Sequence, residues 1–241
     1  MNDNNRQPLI GMTLDELREV AASCGLPGFA AKQIADWLYV KRVDSIDAMT
    51  NISLKGRERL SASYRVGRFA PKAAARSVDG TVKYLFDGKG GRDIEAVYIP
   101  DRDRATLCVS SQAGCRMGCR FCMTGRQGFH GNLTTTDIIN QILSIPESES
   151  LTNIVFMGMG EPMDNLGALL PALEILTAPW GFAWSPKRIT VSTIGKLDEL
   201  KTLLDTTKVH IAISVHSPVA EQRASCLLYT SPSPRDGATS R

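Results

Sequence analysis

Three cysteines lie close enough together in the chain to hold an inorganic group. Cys115, Cys119 and Cys122 form a C-x3-C-x2-C pattern within eight residues, directly after a predicted strand. Three thiolates cannot complete the four-ligand site of structural zinc, whereas iron–sulfur clusters are held by close-set cysteines. Three ligands would leave one iron of a 4Fe–4S cluster open to bind and reduce a substrate. The alternative is a zinc site completed by a distant residue such as His130, which we otherwise assign to a loop.

Small and polar residues stand where other predicted strands end. Gly160 and Glu161 belong to the sequence GMGEP at the end of the second strand. Glycine allows close approach to the backbone, and a carboxylate can accept from an ammonium group. Taken alone, this motif is weak evidence, because it is also typical of a strand-ending turn, but its place after a predicted strand favours a functional role. The next two strands end at Ser192 and at Ser214, Val215 and His216.

An alternation of strands and helices positions these residues. The predicted strands are Ala105–Ser111, Asn153–Gly158, Arg188–Thr193 and Val209–Val215. Helical patterns start near Thr134, Leu166 and Lys196. Pro171 interrupts the second pattern, so we expect that helix to begin at the proline, which is tolerated in a first turn. The alternation predicts a parallel sheet, open or curled toward a barrel. Active sites of such folds lie at the carboxyl ends of the strands.

The segments before residue 105 have a different character. Residues 1–65 are predicted to be helical, with a capping box from Thr13 to Glu16 and a second helix over residues 29–41. Residues 81–86 and 93–99 are rich in β-forming residues and are separated by glycine turn signals. They predict a hairpin that leads into the main domain.

Composition and charge narrow the class of protein. Hydrophobic residues make up 43% of the chain and charged residues 22%, as in soluble globular proteins. No apolar run approaches the roughly 20 residues of a membrane helix, and the N-terminus lacks a signal pattern, so we predict a cytoplasmic protein. The net charge is +3, with seven basic residues and one acid between Lys55 and Arg76. This patch suits phosphates, although charge alone favours a solvated helix face.

Residues 226–241 do not continue the alternation. Their composition turns to Ser, Pro and Arg, and CLLYTSPSPRD resembles a translated sequencing adapter. We therefore expect the natural sequence to end near Ser225 and the rest to be a non-native tail. The alternative is a genuine disordered tail.

From Asp93 to His216, the chain resembles the RlmN/Cfr family of radical S-adenosylmethionine (SAM) RNA methyltransferases. The matching segments are IEAVYIP, RATLCVSSQAGCRMGCRFCMTGRQGF, NIVFMGMGEPMDN, RITVSTIG and IAISVHSP. The helical N-terminal segment is similar too, so the resemblance covers nearly all of residues 10–225. It implies a partial (β/α)6 barrel, cut after about four strands, with a small N-terminal helical domain.

The resemblance also implies a division of the chain and roles for individual residues. The division is 1–76 (helical RNA-binding domain), 77–104 (β-hairpin linker), 105–225 (incomplete radical SAM core) and 226–241 (tail). The 4Fe–4S cluster would be held by Cys115, Cys119 and Cys122. The SAM pocket would be lined by Gly160, Glu161, Ser192, Ser214, Val215 and His216. Glu95 matches the family's proton acceptor, and Cys108 matches the cysteine that resolves a covalent enzyme–RNA intermediate. Without the family, Glu95 is typical of a solvent-facing residue and Cys108 of a core cysteine.

The implied reaction is methylation of an adenine carbon. The methyl group is first placed on an enzyme cysteine, and Cys108 finally releases the product with formation of a disulfide that reductants must reset. The resemblance implies that the methyl-carrying cysteine and a SAM-contacting Asn lie in a segment beyond residue 225. We therefore expect this polypeptide to hold a cluster without completing methylation, and to be poorly soluble because its sheet edge is unpaired.

The implied substrates are an adenosine of 23S rRNA and the adenosine beside the tRNA anticodon, both modified at carbon 2, with a flavodoxin-like electron donor. The nearest alternative is a Cfr-type enzyme that modifies carbon 8 of the same rRNA adenosine. The GRQGF stretch after the cysteines favours carbon 2. A non-catalytic, zinc-stabilised RNA-binding protein is the alternative from another class, and a pseudo-enzyme follows only if the ending is natural.

Overall fold

The structure is a computed structural model that describes residues 6–88 and 90–227. The chain divides into two compact units. The first unit comprises Met1–Ala70, Thr134–Ser148 and Ala168–Ser185, and the second comprises Pro71–Leu133, Glu149–Gly167 and Pro186–Arg241. Residues 228–241, which form most of the predicted tail, lie outside the described residues.

Helices near the N-terminus are followed by a run of strands, and helices alternate with strands only in the second half of the described chain. The α-helices are α1 Leu14–Ser23, α2 Ala30–Ala35, α3 Leu54–Ser63, α4 Met123–Arg126, α5 Thr135–Leu143, α6 Leu166–Thr177, α7 Leu197–Thr206 and α8 Ala220–Cys226. The strands are β1 Gln7–Pro8, β2 Tyr64–Arg65, β3 Ala73–Arg76, β4 Val82–Phe86, β5 Ile94–Asp101, β6 Arg104–Cys108, β7 Gln112–Gly114, β8 Phe129–Asn132, β9 Asn153–Phe156, β10 Ile189–Thr193 and β11 His210–Ile213. Short 3-10 helices cover Ile46–Ala48, Ser148–Ser150, Pro162–Asn165 and Pro186–Arg188.

The first unit contains the predicted N-terminal helices. The capping box of α1 is present, since the Thr13 side chain accepts from the Glu16 N–H and the Glu16 carboxylate accepts from the Thr13 N–H at 2.7 Å. The helix predicted over residues 29–41 is α2 followed by a wider π-helical turn at Asp36–Val40. In that turn the Lys41 N–H donates to the Asp36 carbonyl, five residues back.

The prediction that residues 1–65 are helical throughout is wrong at both ends, where β1 and β2 form a short parallel ladder. The Leu9 N–H donates to the Arg65 carbonyl and the Ile10 N–H to the Val66 carbonyl. The chain leaves this ladder at Gly67, which has a φ of +94°. A Cβ at Gly67 would lie 2.4 Å from the Pro8 Cβ, so only glycine fits there.

The prediction that a helix begins at Pro171 is also wrong, because α6 starts at Leu166 and contains Pro171. This proline lacks the N–H that would donate to the Gly167 carbonyl, at a cost of roughly 3 kcal/mol. Apolar side chains from Leu169 to Leu176 are buried on both sides of it. Their burial stabilises the helix enough to offset the lost hydrogen bond.

The second unit is built on a seven-stranded sheet in the order β11-β10-β9-β6-β5-β4-β3. Strands β3 to β6 pair antiparallel, and β6, β9, β10 and β11 pair parallel. The predicted hairpin is therefore part of the main sheet instead of a linker beside it. The four parallel strands are those predicted for a partial barrel, and the described strands do not close.

The two faces of this sheet differ in character. One face is apolar and buried, and includes Phe86, Leu107 and Phe156. Cross-strand pairs from Val97 to Cys108, and from Cys108 to Val155, define the opposite face. We call this opposite side the polar face; most of its residues on the central strands are half-buried. Its residues include Lys83, Glu95, Val97, Cys108, Val155, Thr190 and Ser192.

A helix, α8, follows the last strand before the chain reaches residue 228, as a strand–helix repeat requires. His130, assigned to a loop from the sequence, instead lies in β8, which pairs with β7. None of the described helices is both long enough and apolar enough to span a membrane.

Candidate active site

The three cysteines of the C-x3-C-x2-C motif lie in the segment of the second unit that connects β7 to α4. Cys122 precedes α4, and its N–H donates to the Cys119 carbonyl at 3.0 Å. The Cys115 N–H donates to the Gly128 carbonyl at 2.9 Å, which closes the base of the loop. Gly118 has a φ of +60°, a conformation that glycine adopts without strain. The loop turns so that all three cysteines contact one apolar cluster.

The cysteines of the loop are packed against a small apolar cluster, and burial favours the protonated form of two of the thiols. The cluster consists of Met117, Cys119, Ile194 and Leu227, with Cys115 and Cys122 packed against it. Burial raises the pKa of the Cys115 thiol to about 11. Burial and the neighbouring Cys122 also raise the pKa of the Cys119 thiol. Both thiols therefore keep their protons at neutral pH unless a bound cation displaces them.

The donor set of the loop fits an iron–sulfur cluster better than a single metal ion. Among residues 6–88 and 90–227, no three His, Cys, Asp or Glu side chains converge on one metal position. Each cysteine of a 4Fe–4S cluster binds a different iron, so its ligands surround a larger group and do not converge. Three soft thiols on one apolar surface are suited to such a group. His130 lies in β8, where its Nε2 is 2.9 Å from the Gln127 carbonyl oxygen.

Glu161 joins the ends of two neighbouring strands through its buried side chain, which is 4% exposed. Its carboxylate accepts from the Thr193 hydroxyl at 2.6 Å, from the Ile194 N–H at 3.1 Å and from the Met163 N–H at 3.2 Å. Burial raises the pKa of Glu161, and these hydrogen bonds oppose the rise. A carboxylate offers about four acceptor positions. Among residues 6–88 and 90–227, three donors occupy these positions.

Gly160 lets the chain pass close to β7. Its φ is +99°, and a Cβ there would lie 2.6 Å from the Gln112 Cβ. The Gln112 side chain is buried, accepts from the Glu161 N–H at 2.9 Å and donates to the Asn132 carboxamide at 2.8 Å. The GMGEP turn is therefore fixed in place by β7 and β8, and any larger residue at position 160 would displace it.

The carboxyl ends of β10 and β11 bring the remaining predicted SAM-pocket residues together. The Ser192 and Ser214 hydroxyl oxygens are 3.5 Å apart, and the Ser214 N–H donates to the Thr193 carbonyl. His216 has a φ of +57°, which turns the chain after β11. The His216 ring lies 4.3 Å, centroid to centroid, from the ring of Phe121 in the cysteine loop. Val215, which lies between Ser214 and His216 in the sequence, is exposed.

Glu95 and Cys108 lie on the polar face of the sheet. Val97 pairs with Cys108, and Glu95 precedes Val97 by two residues on β5, so Glu95 and Cys108 are diagonal neighbours. The Glu95 carboxylate is 3.0 Å from the Lys83 ammonium. Burial raises the pKa of the Cys108 thiol, although a hydrogen bond from the Met157 backbone opposes the rise. All six cysteines of the chain are free.

The structure adds residues that sequence reasoning missed. Thr193 and Gln112 hold Glu161 and its turn, and Phe121 contacts His216. Lys196 forms a largely buried ion pair with Asp164, directly after the GMGEP motif. The position of Phe121 between Cys119 and Cys122 could have identified it as a site residue from the sequence. Nothing in the sequence singled out Thr193, because threonine is common in strands.

Comparison with known proteins identifies the class. Residues 109–229, half of the chain, match the model of the radical SAM superfamily. Residues 7–66 match the N-terminal domain of ribosomal RNA large subunit methyltransferases. The chain therefore belongs to the radical SAM superfamily, whose members bind a 4Fe–4S cluster and SAM. This membership makes a zinc site in the cysteine loop the poorer account.

Within that superfamily, the chain is similar to proteins named dual-specificity RNA methyltransferase RlmN. A relative of this group from Bacteroides thetaiotaomicron is 59% identical over 91% of this chain and 64% of its own length. The RlmN of Geotalea uraniireducens is 44% identical over 88% of this chain and 62% of its own length. These relatives confirm the family resemblance drawn from the sequence motifs. The chain spans a little under two thirds of their length.

A solved structure supports the architecture. The crystal structure of a radical SAM methyltransferase from Sphaerobacter thermophilus matches with a TM-score of 0.84 and 36% identity. The match covers 92% of this chain and 67% of the other. The predicted α/β fold with a partial radical SAM barrel is thereby confirmed.

Proposed function

We propose that this chain is the greater part of an RlmN-type enzyme that methylates carbon 2 of adenosine in 23S rRNA and in tRNA beside the anticodon. The observation that carries the proposal is the convergence, in one unit, of the cysteine loop with the ends of β9, β10 and β11. A match to an rRNA methyltransferase N-terminal domain in the same chain supports RNA as the substrate.

In this proposal, Cys115, Cys119 and Cys122 would hold the 4Fe–4S cluster, which would supply the electron for cleavage of SAM. Gly160 exposes main chain to SAM at a turn where no Cβ fits. The carboxylate of Glu161 suits the SAM ammonium group. The pocket is completed by Ser192, Ser214, Val215 and His216.

Glu95 and Cys108 complete the reaction from the polar face. Glu95 takes the proton from the adenine ring, and Lys83 compensates its charge before that step. Cys108, as its thiolate, attacks the sulfur of the thioether that joins the methyl-carrying cysteine to the adenine. The S–S bond forms as the C–S bond breaks, the released methylene carbon takes a proton and becomes the methyl group, and the disulfide is left for a reductant to open. A flavodoxin-like protein is the proposed electron donor. We place the methyl-carrying cysteine outside residues 1–225 and expect the 241-residue polypeptide not to complete methylation.

Nucleoside mass spectrometry tests the proposed function. The full-length gene that encodes this chain is expressed in a bacterial strain that lacks this modification. We expect 2-methyladenosine in both 23S rRNA and tRNA, and none when Cys108 is replaced by alanine. Finding 8-methyladenosine instead would assign the enzyme to the Cfr type, and finding neither product would contradict the proposal.

A further inference from the structure

The first unit contains a polar cavity of about 310 Å³, near the lower end of the range for ligand sites, roughly 300–1,000 Å³. Its wall includes the arginines Arg6, Arg65 and Arg68 and the serines Ser45 and Ser61. We call it the arginine cavity. Guanidinium and hydroxyl groups both donate hydrogen bonds to phosphate oxygens.

The local fold explains why two of these arginines come together. Parallel pairing sets Pro8 opposite Arg65, so that Arg6 lies just before the paired residues. The Arg65 Nε–H then donates to the Arg6 carbonyl at 3.3 Å. Gly67 turns the chain against Pro8 in a conformation that leaves no space for a Cβ. This turn separates Arg65 from Arg68 while keeping both in the wall of the cavity.

The arginines differ in what they can offer a ligand. The Arg68 Nη1–H donates to the Arg42 carbonyl at 2.6 Å, and the Arg68 Nη2–H donates to the Leu143 carbonyl. Arg68 is therefore a structural part of the wall. Arg65 donates only through Nε, and its two Nη groups have no acceptor within residues 6–88 and 90–227. These two groups form the outer fork of the guanidinium, which suits two oxygens of one phosphate.

The charge of the wall indicates which phosphate fits. Asp44 and Asp47 also line the cavity. Three arginines and two aspartates leave one net positive charge, which balances the single negative charge of a phosphodiester. A phosphate monoester or free phosphate carries a charge of about −1.5 to −2 near pH 7, and it would face the two carboxylates with an uncompensated charge.

We propose that the arginine cavity binds one phosphodiester group of an RNA strand, with Arg65 as the contacting residue. This inference rests on the proposed function for the identity of RNA as partner. It assigns RNA contact to one defined cavity and not to the whole basic segment of residues 55–76. Two other basic residues of that patch are occupied by main-chain carbonyls, since Arg57 donates to Asp47 and Arg68 to Arg42 and Leu143.

The test measures binding of a fluorescein-labelled RNA stem–loop to the 241-residue chain by anisotropy. We expect Arg65→Gln to weaken binding about tenfold, as for loss of a charged hydrogen bond, and to reduce the slope of log K against log salt by about 1. Arg59→Gln is the matched control, because Arg59 is an exposed arginine of the same patch outside the cavity. It should weaken binding by no more than about twofold.

Two further measurements keep the outcomes distinct. Arg65→Lys keeps the charge but lacks the fork, so we expect intermediate affinity with an unchanged salt slope. Inorganic phosphate should displace RNA from the wild type no better than chloride at equal ionic strength. Stronger displacement in the wild type than in Arg65→Gln would show a site for free phosphate and overturn the RNA assignment.

The failures of the inference and of the proposed function can be told apart. If the wild type binds RNA while Arg65→Gln and Arg59→Gln lose equal affinity, the arginine cavity is not a site, although the proposed function stands. If the wild type binds no RNA, the proposed RNA substrate fails together with the inference. Urea unfolding midpoints of the three variants show whether each retains its fold.

Discussion

Replacing Cys119 with alanine is expected to remove the iron–sulfur cluster. After anaerobic purification and reconstitution, the wild type should contain about four irons and four acid-labile sulfides per chain. The variant should contain close to none, because two remaining thiols cannot hold three irons of a cluster. Cys119 is also the most buried of the three cysteines and belongs to the apolar cluster itself. Inductively coupled plasma mass spectrometry and a colorimetric sulfide assay give the two contents.

Cys24→Ala is the matched control for that variant. Cys24 is a buried cysteine of the first unit, and its loss leaves the cysteine loop untouched. We expect it to keep the wild-type iron and sulfide content. One zinc and no sulfide in the wild type would contradict the cluster and would favour a zinc-stabilised loop.

Replacing Glu161 with alanine is expected to destabilise the second unit by about 3 kcal/mol or more. Three donors that lie at the ends of two strands would lose their acceptor in a buried position, and each such loss costs roughly 1–3 kcal/mol. Urea unfolding monitored by circular dichroism measures the change. Glu199→Ala is the matched control: Glu199 forms a partly exposed ion pair with Lys196, and its loss should cost less than about 1 kcal/mol.

The pH dependence of Glu161→Gln tests the raised pKa of this carboxyl. Because its folded-state pKa lies above the ordinary value of 4.5, its stabilising contribution is complete below that value and is lost as the pH rises through the folded-state pKa. The wild type should therefore exceed Glu161→Gln in stability by more at about pH 5 than at about pH 7.5. An advantage that grows with pH would contradict a pKa that burial raises more than the three hydrogen bonds lower it.

Local patterns in the sequence predicted much of the fold. The strand–helix alternation after residue 105 gave strands that match β6, β9, β10 and β11 to within a few residues, because apolar periodicity reflects burial directly. The capping box at Thr13 could be predicted because it too is a local pattern. The pairing of β1 with β2 could not be predicted, because each strand has only two residues and they lie 57 positions apart, counted from Gln7 to Tyr64.

In the candidate site, too, local patterns could be predicted and long-range contacts could not. The cysteine motif was predictable because three ligands of one loop are close in sequence as well as in space. Thr193 and Gln112 were not readable, because their roles depend on where the Glu161 side chain turns in three dimensions. Pro171 misled the helix prediction because tertiary burial outweighs its local cost.

Reductive cleavage of SAM tests the central claim most directly. The reconstituted 241-residue chain is incubated anaerobically with SAM and dithionite, and 5′-deoxyadenosine and methionine are quantified by liquid chromatography and mass spectrometry. A radical SAM protein with an open iron should form both in equal amounts, and Cys119→Ala should form neither. Absence of 5′-deoxyadenosine from wild-type protein that holds a full complement of iron and sulfide would contradict the account.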